Sequence, residues 1–277
     1  MAGIFGLRRL IECKQILIEV TIKFLAMKSK IIALLTSLSC MTMSCGGDDP
    51  VVDDVTTETV DVSTAASKFY NTANMSVSIG DDVITITSTN QPDHKSMYYP
   101  TNNSLYEAYD EPNNPDFKKN PNNIEAQNLV FKIPRFPVKA NNKTSTSLGP
   151  MGVSINSVVF FNQNAAPGDD ILDELNTFDQ YEGHPQQQGQ YHYHLEPTWL
   201  TELKGEEAFL GFLLDGFPVY GSVENGKTLT NDDLDVYHGH TSATDDFPEG
   251  IYHYHITEEL PWINGGEYYG TPGTYTN

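Results

Sequence analysis

Hydrophobic and polar residues alternate at several places along the chain, a pattern typical of strands with one buried face. Residues 75–89 show it most clearly, because apolar positions two apart stand on both sides of Gly80-Asp81-Asp82. This arrangement predicts a β-hairpin whose turn lies at the glycine and the two aspartates. Residues 129–133 predict a further short strand, which ends at Pro134.

Two longer apolar segments lie in the second half of the chain. Residues 153–162 predict a strand, and residues 209–220 predict two buried strands because an Asp-Gly turn signal interrupts the run. Between these segments, residues 170–178 predict a short helix with an aspartate at its start. The sequence therefore predicts a mostly β fold with short helices and long loops, arranged as one sandwich-like domain over residues 68–277.

Composition excludes some classes of protein. Hydrophobic residues make up 39% of the 277 positions and charged residues 19%, which is typical of a globular chain rather than a disordered one. The net charge of −21 repels phosphate, so we expect no nucleic-acid partner. The sequence contains no Gly-x-Ser-x-Gly, P-loop or His-Glu-x-x-His motif, and it therefore assigns no catalytic mechanism.

Residues 27–44 have the pattern of an export signal. Lys28 and Lys30 precede an apolar run over residues 31–38, which is shorter than the ~20 residues that a membrane-spanning helix needs. Small residues then lead to Cys45, as in a bacterial lipoprotein signal, where the cysteine is lipidated and becomes the new N-terminus. We expect Cys45 to anchor the protein in the membrane.

Other interpretations of this region stay open. Cys40 is a weaker candidate for lipidation, and the segment also fits a plain secretory signal or a buried helix. Residues 1–26 precede a complete signal and are interpreted as an upstream extension that is not part of the native protein. Residues 45–67 predict a flexible acidic tether. The expected location is the cell envelope, as an outer-membrane lipoprotein that faces either the periplasm or the exterior.

The histidines form the strongest signal in the chain. Seven of the eight lie within residues 184–255, in two similar arrangements. Gly183-His184 precedes the Tyr-His-Tyr-His segment Tyr191–His194, and Gly239-His240 precedes the same four residues at Tyr252–His255. This duplication predicts either an internal two-fold repeat or two elements that face each other across one site.

Spacing connects these histidines to metal chemistry. Residues two apart on a strand project from the same face, with Cα atoms roughly 6.6 Å apart, so both imidazoles of each segment project together while the tyrosines take the opposite face. Two such imidazoles can converge on one ion, and the histidine after each glycine can supply a third nitrogen. The candidate metal ligands are His184, His192, His194, His240, His253 and His255.

The kind of metal follows from what the chain lacks. No cysteine follows Cys45, so a site in the folded part uses imidazole, carboxylate or backbone oxygen. Copper and zinc both suit such a site, and Asp215, an acid inside an apolar run, is a candidate site acid. An alternative is a non-catalytic module that binds a glycan or a protein, with the histidines hydrogen-bonded as part of the structure.

These motifs together resemble the YHYH-domain family. Besides the two histidine segments, the resemblance rests on Gly152–Asn156, Phe178–Pro185, Gly211–Gly221 and Leu234–Thr241. It implies an exported, β-rich domain whose biochemical function is unassigned. Family members carry cysteines at or near the positions of Tyr181, Tyr237 and Trp199, which implies that aromatic packing replaces cross-links in this chain.

Overall fold

Strands dominate the computed structural model, which describes residues 59–167 and 169–277 and confirms the predicted mostly β fold. The described helices are short: α1 (Ser63–Ala66), α2 (Ile171–Glu174), α3 (Thr198–Lys204) and two 3-10 turns, Leu175–Thr177 and Asn231–Asp233. The described strands are β1 (Met75–Ile79), β2 (Val83–Ser88), β3 (Leu129–Pro134), β4 (Gly152–Ser154), β5 (Val159–Phe160), β6 (Gly183–Pro185), β7 (Tyr191–Tyr193), β8 (Phe209–Leu213), β9 (Pro218–Tyr220), β10 (Val223–Glu224), β11 (Lys227–Thr228), β12 (Gly239–Ser242), β13 (Ile251–His255) and β14 (Thr274–Thr276).

A four-stranded sheet, in the order β1-β2-β3-β14, contains the predicted hairpin. The turn between β1 and β2 is closed by the amide of Gly80, which donates to the carbonyl oxygen of Val83 at 2.9 Å. Burial alternates along β2 and β3, so one face of the sheet packs on the core and the other is exposed. The predicted strand over residues 129–133 is confirmed as β3.

An eight-stranded sheet has the order β12-β13-β9-β8-β4-β5-β7-β6. The same kinds of strand follow one another inward from either edge. At each edge an antiparallel hairpin carries the Tyr-His-Tyr-His strand, which pairs in parallel with the second strand of another hairpin. The two halves meet where β4 and β8 pair antiparallel. The sheet is therefore an internal repeat of a four-stranded unit, as one of the two interpretations of the sequence duplication predicts.

The prediction of one continuous strand over residues 153–162 is wrong. The chain turns after Ser154, whose amide donates to the carbonyl oxygen of Val158 at 2.8 Å, and Ser157 lies in the left-handed region with φ of 86°. The Ser154 hydroxyl also donates to Asn156 at 2.6 Å. Such local side-chain bonds favour a turn over an extended strand, and the apolar pattern on both sides conceals it.

The Asp-Gly turn inside residues 209–220 is confirmed, since it joins β8 to β9. Gly216 has a φ of 82°, and a Cβ there would lie 2.5 Å from the carbonyl oxygen of Pro134, so this position requires glycine. The predicted short helix is also confirmed, because Asp170 caps α2 by accepting from the amide of Leu172 at 3.0 Å.

The two larger sheets contribute to one hydrophobic core, which also includes the first described residues. Val62, Ala65 and Ala66 are buried, although the sequence assigned residues 45–67 to a tether, so the folded part begins upstream of residue 68. The predicted signal and Cys45 lie outside the described residues. Within the described part, every helix is too short or too polar to cross a membrane.

Candidate metal centres

The two Tyr-His-Tyr-His segments have the alternating orientation that the sequence predicts. In the first segment the Nε2 atoms of His192 and His194 lie 3.0 Å apart. The rings of Tyr191 and Tyr193 meet edge to face, with centroids 5.7 Å apart. In the second segment the rings of Tyr252 and Tyr254 meet edge to face at 5.5 Å, and the ring centroids of His253 and His255 lie 4.8 Å apart. Each strand therefore brings its two imidazoles together on one face of the sheet.

The first site consists of Glu174, His184, His192 and His194, whose ligand atoms converge. Strand pairing places His184 directly opposite His192, and their Nε2 atoms are 3.0 Å apart. The carboxylate of Glu174, at the end of α2, lies 3.4 Å from His184 and 3.5 Å from His194. The hydroxyl of Thr177 contacts the Nδ1 of His184 at 2.6 Å and orients that ring.

Backbone carbonyls fix the protonation of two of these rings. The Nδ1 of His192 donates to the carbonyl oxygen of Gln190 at 3.1 Å, and the Nδ1 of His194 donates to that of Asn162 at 2.6 Å. A carbonyl oxygen only accepts hydrogen bonds, so each Nδ1 carries the proton and each neutral ring presents an Nε2 lone pair. Metal-ligating histidines have this arrangement, in which an outer hydrogen bond sets the tautomer and the ring orientation.

Protonation does not relieve the close approach of the Nε2 atoms of His184 and His192 at neutral pH. Burial lowers the pKa of His184 despite the neighbouring Glu174. The pKa of His192 lies well below its ordinary value because the ring is buried and because His184 and His194 are close to it. Lone pairs that face each other at 3.0 Å repel, so the geometry favours a cation among them.

The second site consists of Glu224, His240, His253 and His255. His240 lies opposite His253 in the β12–β13 hairpin, and the three ring centroids are 4.8–5.0 Å apart. Glu224 lies in β10, with carboxylate oxygens 3.3 Å from the Nε2 of His240 and 3.5 Å from that of His253. The hydroxyl of Ser242 donates a short hydrogen bond to the same carboxylate.

Backbone carbonyls orient the second site in the same way. The Nδ1 of His253 donates to the carbonyl oxygen of Ile251 at 2.9 Å, and that of His255 donates to Gly221 at 2.7 Å. Among the described residues, the Nε2 atoms of His240, His253 and His255 are buried and have no hydrogen-bond partner. Buried polar atoms are normally paired, so a cluster of three such nitrogens is suited to hold a metal ion.

The sheet order separates the two sites. Four strands, β5, β4, β8 and β9, lie between the two Tyr-His-Tyr-His strands. At about 4.8 Å per strand, the separation along the sheet is roughly 24 Å. The two repeats therefore form two sites and do not share one, which the sequence left open.

The glycine before each hairpin histidine allows close packing. A Cβ at Gly239 would overlap the carbonyl oxygen of His253, and a Cβ at Gly183 would overlap the ring of Tyr191. A larger residue at Gly239 would force the two strands of its hairpin apart, and one at Gly183 would displace the buried ring of Tyr191. Since the paired histidines face each other across these strands, the glycines also set the width of each site.

The acidic residues upstream of each hairpin have a structural role. The hydroxyl of Tyr191 donates to Asp179 at 2.8 Å, and that of Tyr252 donates to Asp235 at 2.9 Å. The amide of each aspartate also donates to the carbonyl oxygen of the glycine before the hairpin histidine. These bonds hold the hairpins on the tyrosine face, away from the imidazoles.

Asp215, the candidate site acid, lies in neither site. Its carboxylate accepts hydrogen bonds from the hydroxyl of Tyr254 at 2.6 Å and from the amide of Gly270 at 2.8 Å. Burial raises the pKa of Asp215 to about 6. In the other repeat the equivalent position is Asn156, whose side chain donates to the hydroxyl of Tyr193 at 3.2 Å. Asp215 thus supports the tyrosine face of the second Tyr-His-Tyr-His strand.

The sequence missed the carboxylate of each site. Glu174 precedes the first hairpin histidine by 10 residues and Glu224 precedes the second by 16, so no regular spacing marks them. The two remaining histidines, His94 and His238, belong to neither site. His94 is buried against the hydroxyl of Tyr193 at 3.0 Å, and His238 donates to the carbonyl oxygen of His255 at 2.8 Å.

Aromatic contacts lie where the resemblance implies cross-links in relatives. The rings of Tyr181 and Trp199 meet edge to face with centroids 5.2 Å apart. Tyr237 packs against Tyr269 in the same manner, at 5.9 Å. Aromatic pairs of this geometry stabilise a fold beyond the area that they bury.

The family assignment agrees with this geometry. A family model described as YHYH protein matches residues 130–232 and 223–266, which include both histidine hairpins. The chain belongs to the YHYH family, and the matched region contains every residue of the two sites. No curated protein and no solved structure matches the chain.

Proposed function

We propose that this protein is an exported, lipid-anchored member of the YHYH family that binds a divalent transition metal at each of its two His₃Glu sites. One observation carries the metal assignment. Neutral imidazoles, held by backbone carbonyls through Nδ1, converge with their Nε2 lone pairs on a common point next to a carboxylate. This is the donor set and the outer hydrogen bonding of a histidine-ligated metal.

The distances fit tetrahedral coordination. Four ligand atoms that each lie about 2.0–2.1 Å from a tetrahedral ion are about 3.3 Å from one another. In the first site the two nitrogen–nitrogen distances are 3.0 Å, and the carboxylate oxygen lies 3.4 and 3.5 Å from two of the nitrogens. Zinc accepts this geometry readily, whereas copper(II) prefers a tetragonal arrangement. We therefore place zinc ahead of copper.

Elemental analysis of the purified full chain, prepared without chelators, tests the proposal. We expect close to two equivalents of metal per chain, with zinc as the principal ion after growth in medium that supplies zinc and copper equally. Copper at two equivalents would support the sites but reverse the choice of metal. A chain that carries no metal, and takes up neither ion at neutral pH, would overturn the assignment and favour the glycan- or protein-binding alternative.

The anchor rests on the sequence alone. Residues 27–44 have the charge and apolar pattern of a signal, and Cys45 follows them at the position of lipidation. The acidic residues after the cysteine support a tether between the membrane and the folded part. Cys45→Ala, compared with Cys40→Ala as a matched control, should move the protein from the membrane fraction to the soluble fraction. Retention of Cys45→Ala in the membrane would count against the anchor.

A further inference from the structure

A cavity of about 910 Å³ lies beside the second site. Glu224 and His255, two of the four candidate ligands, are among the residues that line it, and no residue of the first site is. Tyr220, whose ring lies 5.2 Å from that of His253, lines the same cavity. The second site therefore adjoins a space large enough for a small molecule.

The ligands of the two sites differ in accessibility. The side chain of His240 is 24% exposed, whereas that of its counterpart His184 is 8% exposed. In the first site one carboxylate oxygen of Glu174 contacts two histidines. In the second site the carboxylate of Glu224 divides its contacts between His240, His253 and the hydroxyl of Ser242. The donor set is thus complete in the first site and less tightly closed in the second.

The cavity wall restricts the kind of ligand. Five carboxylates and two lysines line it, and one of the lysines, Lys68, already pairs with Asp246 at 2.5 Å. Such a wall repels small anions, attracts cations and admits neutral molecules. The acidic and basic lining residues are Lys68, Lys204, Glu206, Glu207, Glu224, Asp245 and Asp246.

We infer that the metal of the second site binds an external nitrogen or oxygen donor from this cavity, a neutral or cationic small molecule, whereas the first site is closed and structural. A four-coordinate zinc accepts an external ligand by expanding to five-coordinate or by exchanging a protein ligand. At the second site Glu224 lines the cavity and also accepts a hydrogen bond from Ser242, so it is the ligand that we expect to make room. This inference rests on the proposed metal binding. It assigns the two halves of the repeat different tasks.

Cobalt(II) substitution tests the inference, because the visible absorption of cobalt reports its coordination. The full chain would be prepared with only the second site, through His192→Ala and His194→Ala, and with only the first, through the matched pair His253→Ala and His255→Ala. Each variant would be loaded with one equivalent of cobalt and titrated with imidazole, a neutral nitrogen donor. We expect saturable spectral changes in the variant that keeps the second site and none in the other.

The outcomes are separable. A response from both sites, or from neither while cobalt stays bound, would overturn the inference and leave the proposed function intact. If neither variant binds cobalt and the unsubstituted chain does not bind it either, the proposed function itself is overturned. Azide tests the ligand class, since we expect this anion to bind at least ten-fold more weakly than imidazole. Tighter azide binding would overturn the charge argument.

Variants of a residue that is not a metal ligand keep the inference testable if the double histidine variants do not fold. Ala243 is exposed and lines the cavity. Ala243→Trp should fill part of the cavity and weaken imidazole binding at least ten-fold in the otherwise unsubstituted chain, with two equivalents of cobalt still bound. Ala243→Ser, which leaves the volume open, should bind imidazole normally. Equal binding by the two variants would contradict access through the cavity.

Discussion

The Nε2 atoms of His192 and His194 lie 3.0 Å apart, although each ring already donates through Nδ1 to a backbone carbonyl oxygen. The spacing of the two residues on a strand brings the rings side by side, and the carbonyls turn both lone pairs inward. Two hydrogen-bonded neutral rings do not hold this position by attraction for each other. The proposed metal ion, bound by both Nε2 atoms, would account for this arrangement.

Removal of these two rings should halve the metal content. His192→Ala with His194→Ala leaves only His184 and Glu174 in the first site, and two ligands retain zinc poorly. We expect one equivalent of zinc in place of two, measured by mass spectrometry with circular dichroism as the check on folding. The matched variant of the other repeat, His253→Ala with His255→Ala, should also retain one equivalent of zinc. Two equivalents in either folded variant would contradict the assignment of that strand.

Gly239→Ala should damage the second site alone. The added methyl overlaps the carbonyl oxygen of His253 and forces β12 away from β13, which we expect to destabilise the fold by about 2 kcal/mol. Metal titration should show loss of the second equivalent with the first intact. Gly80→Ala is the control, because its methyl would meet only the carbonyl oxygen of Val83, at 3.1 Å. Comparable losses in both variants would refute the steric explanation.

Asp215→Asn should change how stability depends on pH. Burial raises the pKa of Asp215 to about 6 from 3.8, so the folded protein holds the proton more tightly than the unfolded chain does. This contribution is complete below pH 3.8 and is lost as the pH rises through 6. Asparagine carries no such charge. The stability of the variant relative to the parent should therefore increase by about 2 kcal/mol between pH 4 and pH 7.

Urea unfolding of both metal-free proteins at several pH values measures this difference. The comparison of variant with parent removes the titration of all other groups, because those groups are common to both. Asn156, at the equivalent position of the first repeat, shows that an amide satisfies the partner tyrosine hydroxyl there. A difference that is the same at pH 4 and pH 7 would show that Asp215 is not buried as an acid.

Asp61 should hold the start of the folded part in place. Arg135 donates three hydrogen bonds of 2.6–3.1 Å to this carboxylate and holds the pKa of Asp61 well below its ordinary value. The contribution to stability is present above pH 3.8 and is lost as the pH falls below it. Asp61→Asn should lower stability slightly at pH 7, because the pair is partly exposed, and should have no effect in strong acid.

Limited proteolysis gives the local readout for Asp61→Asn. Cleavage within residues 59–67 should be faster than in the parent at pH 7, while cleavage elsewhere is unchanged. Lys68→Ala, which removes the neighbouring ion pair with Asp246, is a control for general loosening of this segment. Equal cleavage of Asp61→Asn and the parent would show that the ion pair with Arg135 does not hold the segment.

The sequence predicted the histidine geometry because strand alternation is local. A strand of Tyr-His-Tyr-His sets the direction of its own side chains, and the glycine before each hairpin histidine marks a close approach of strands. The carboxylates could not be predicted in this way. Glu174 and Glu224 reach their sites from separate elements, a short helix and a short strand, and only the tertiary fold brings them to the imidazoles.

The number of sites depends on long-range pairing, which the sequence does not encode at any one position. The duplication allowed either one shared site or two separate ones, and the pairing of β4 with β8 decides for two. The interruption of the predicted strand at Ser154 comes from a local interaction, not from long-range pairing. There the hydroxyl of Ser154 donates to the backbone carbonyl oxygen of Val158 and stabilises a turn inside an apolar run, and hydrophobic periodicity does not detect such a bond.

The antiparallel pairing of β4 with β8, where the two halves of the repeat meet, suits an origin by gene duplication and fusion. Two identical subunits related by a two-fold axis pair an edge strand of one with the same strand of the other. Fusion of such a dimer into one gene would yield this eight-stranded sheet, with an ancestral subunit interface now inside a single chain. After fusion the two copies are free to diverge, so that one can keep the architecture stable while the other acquires a new task.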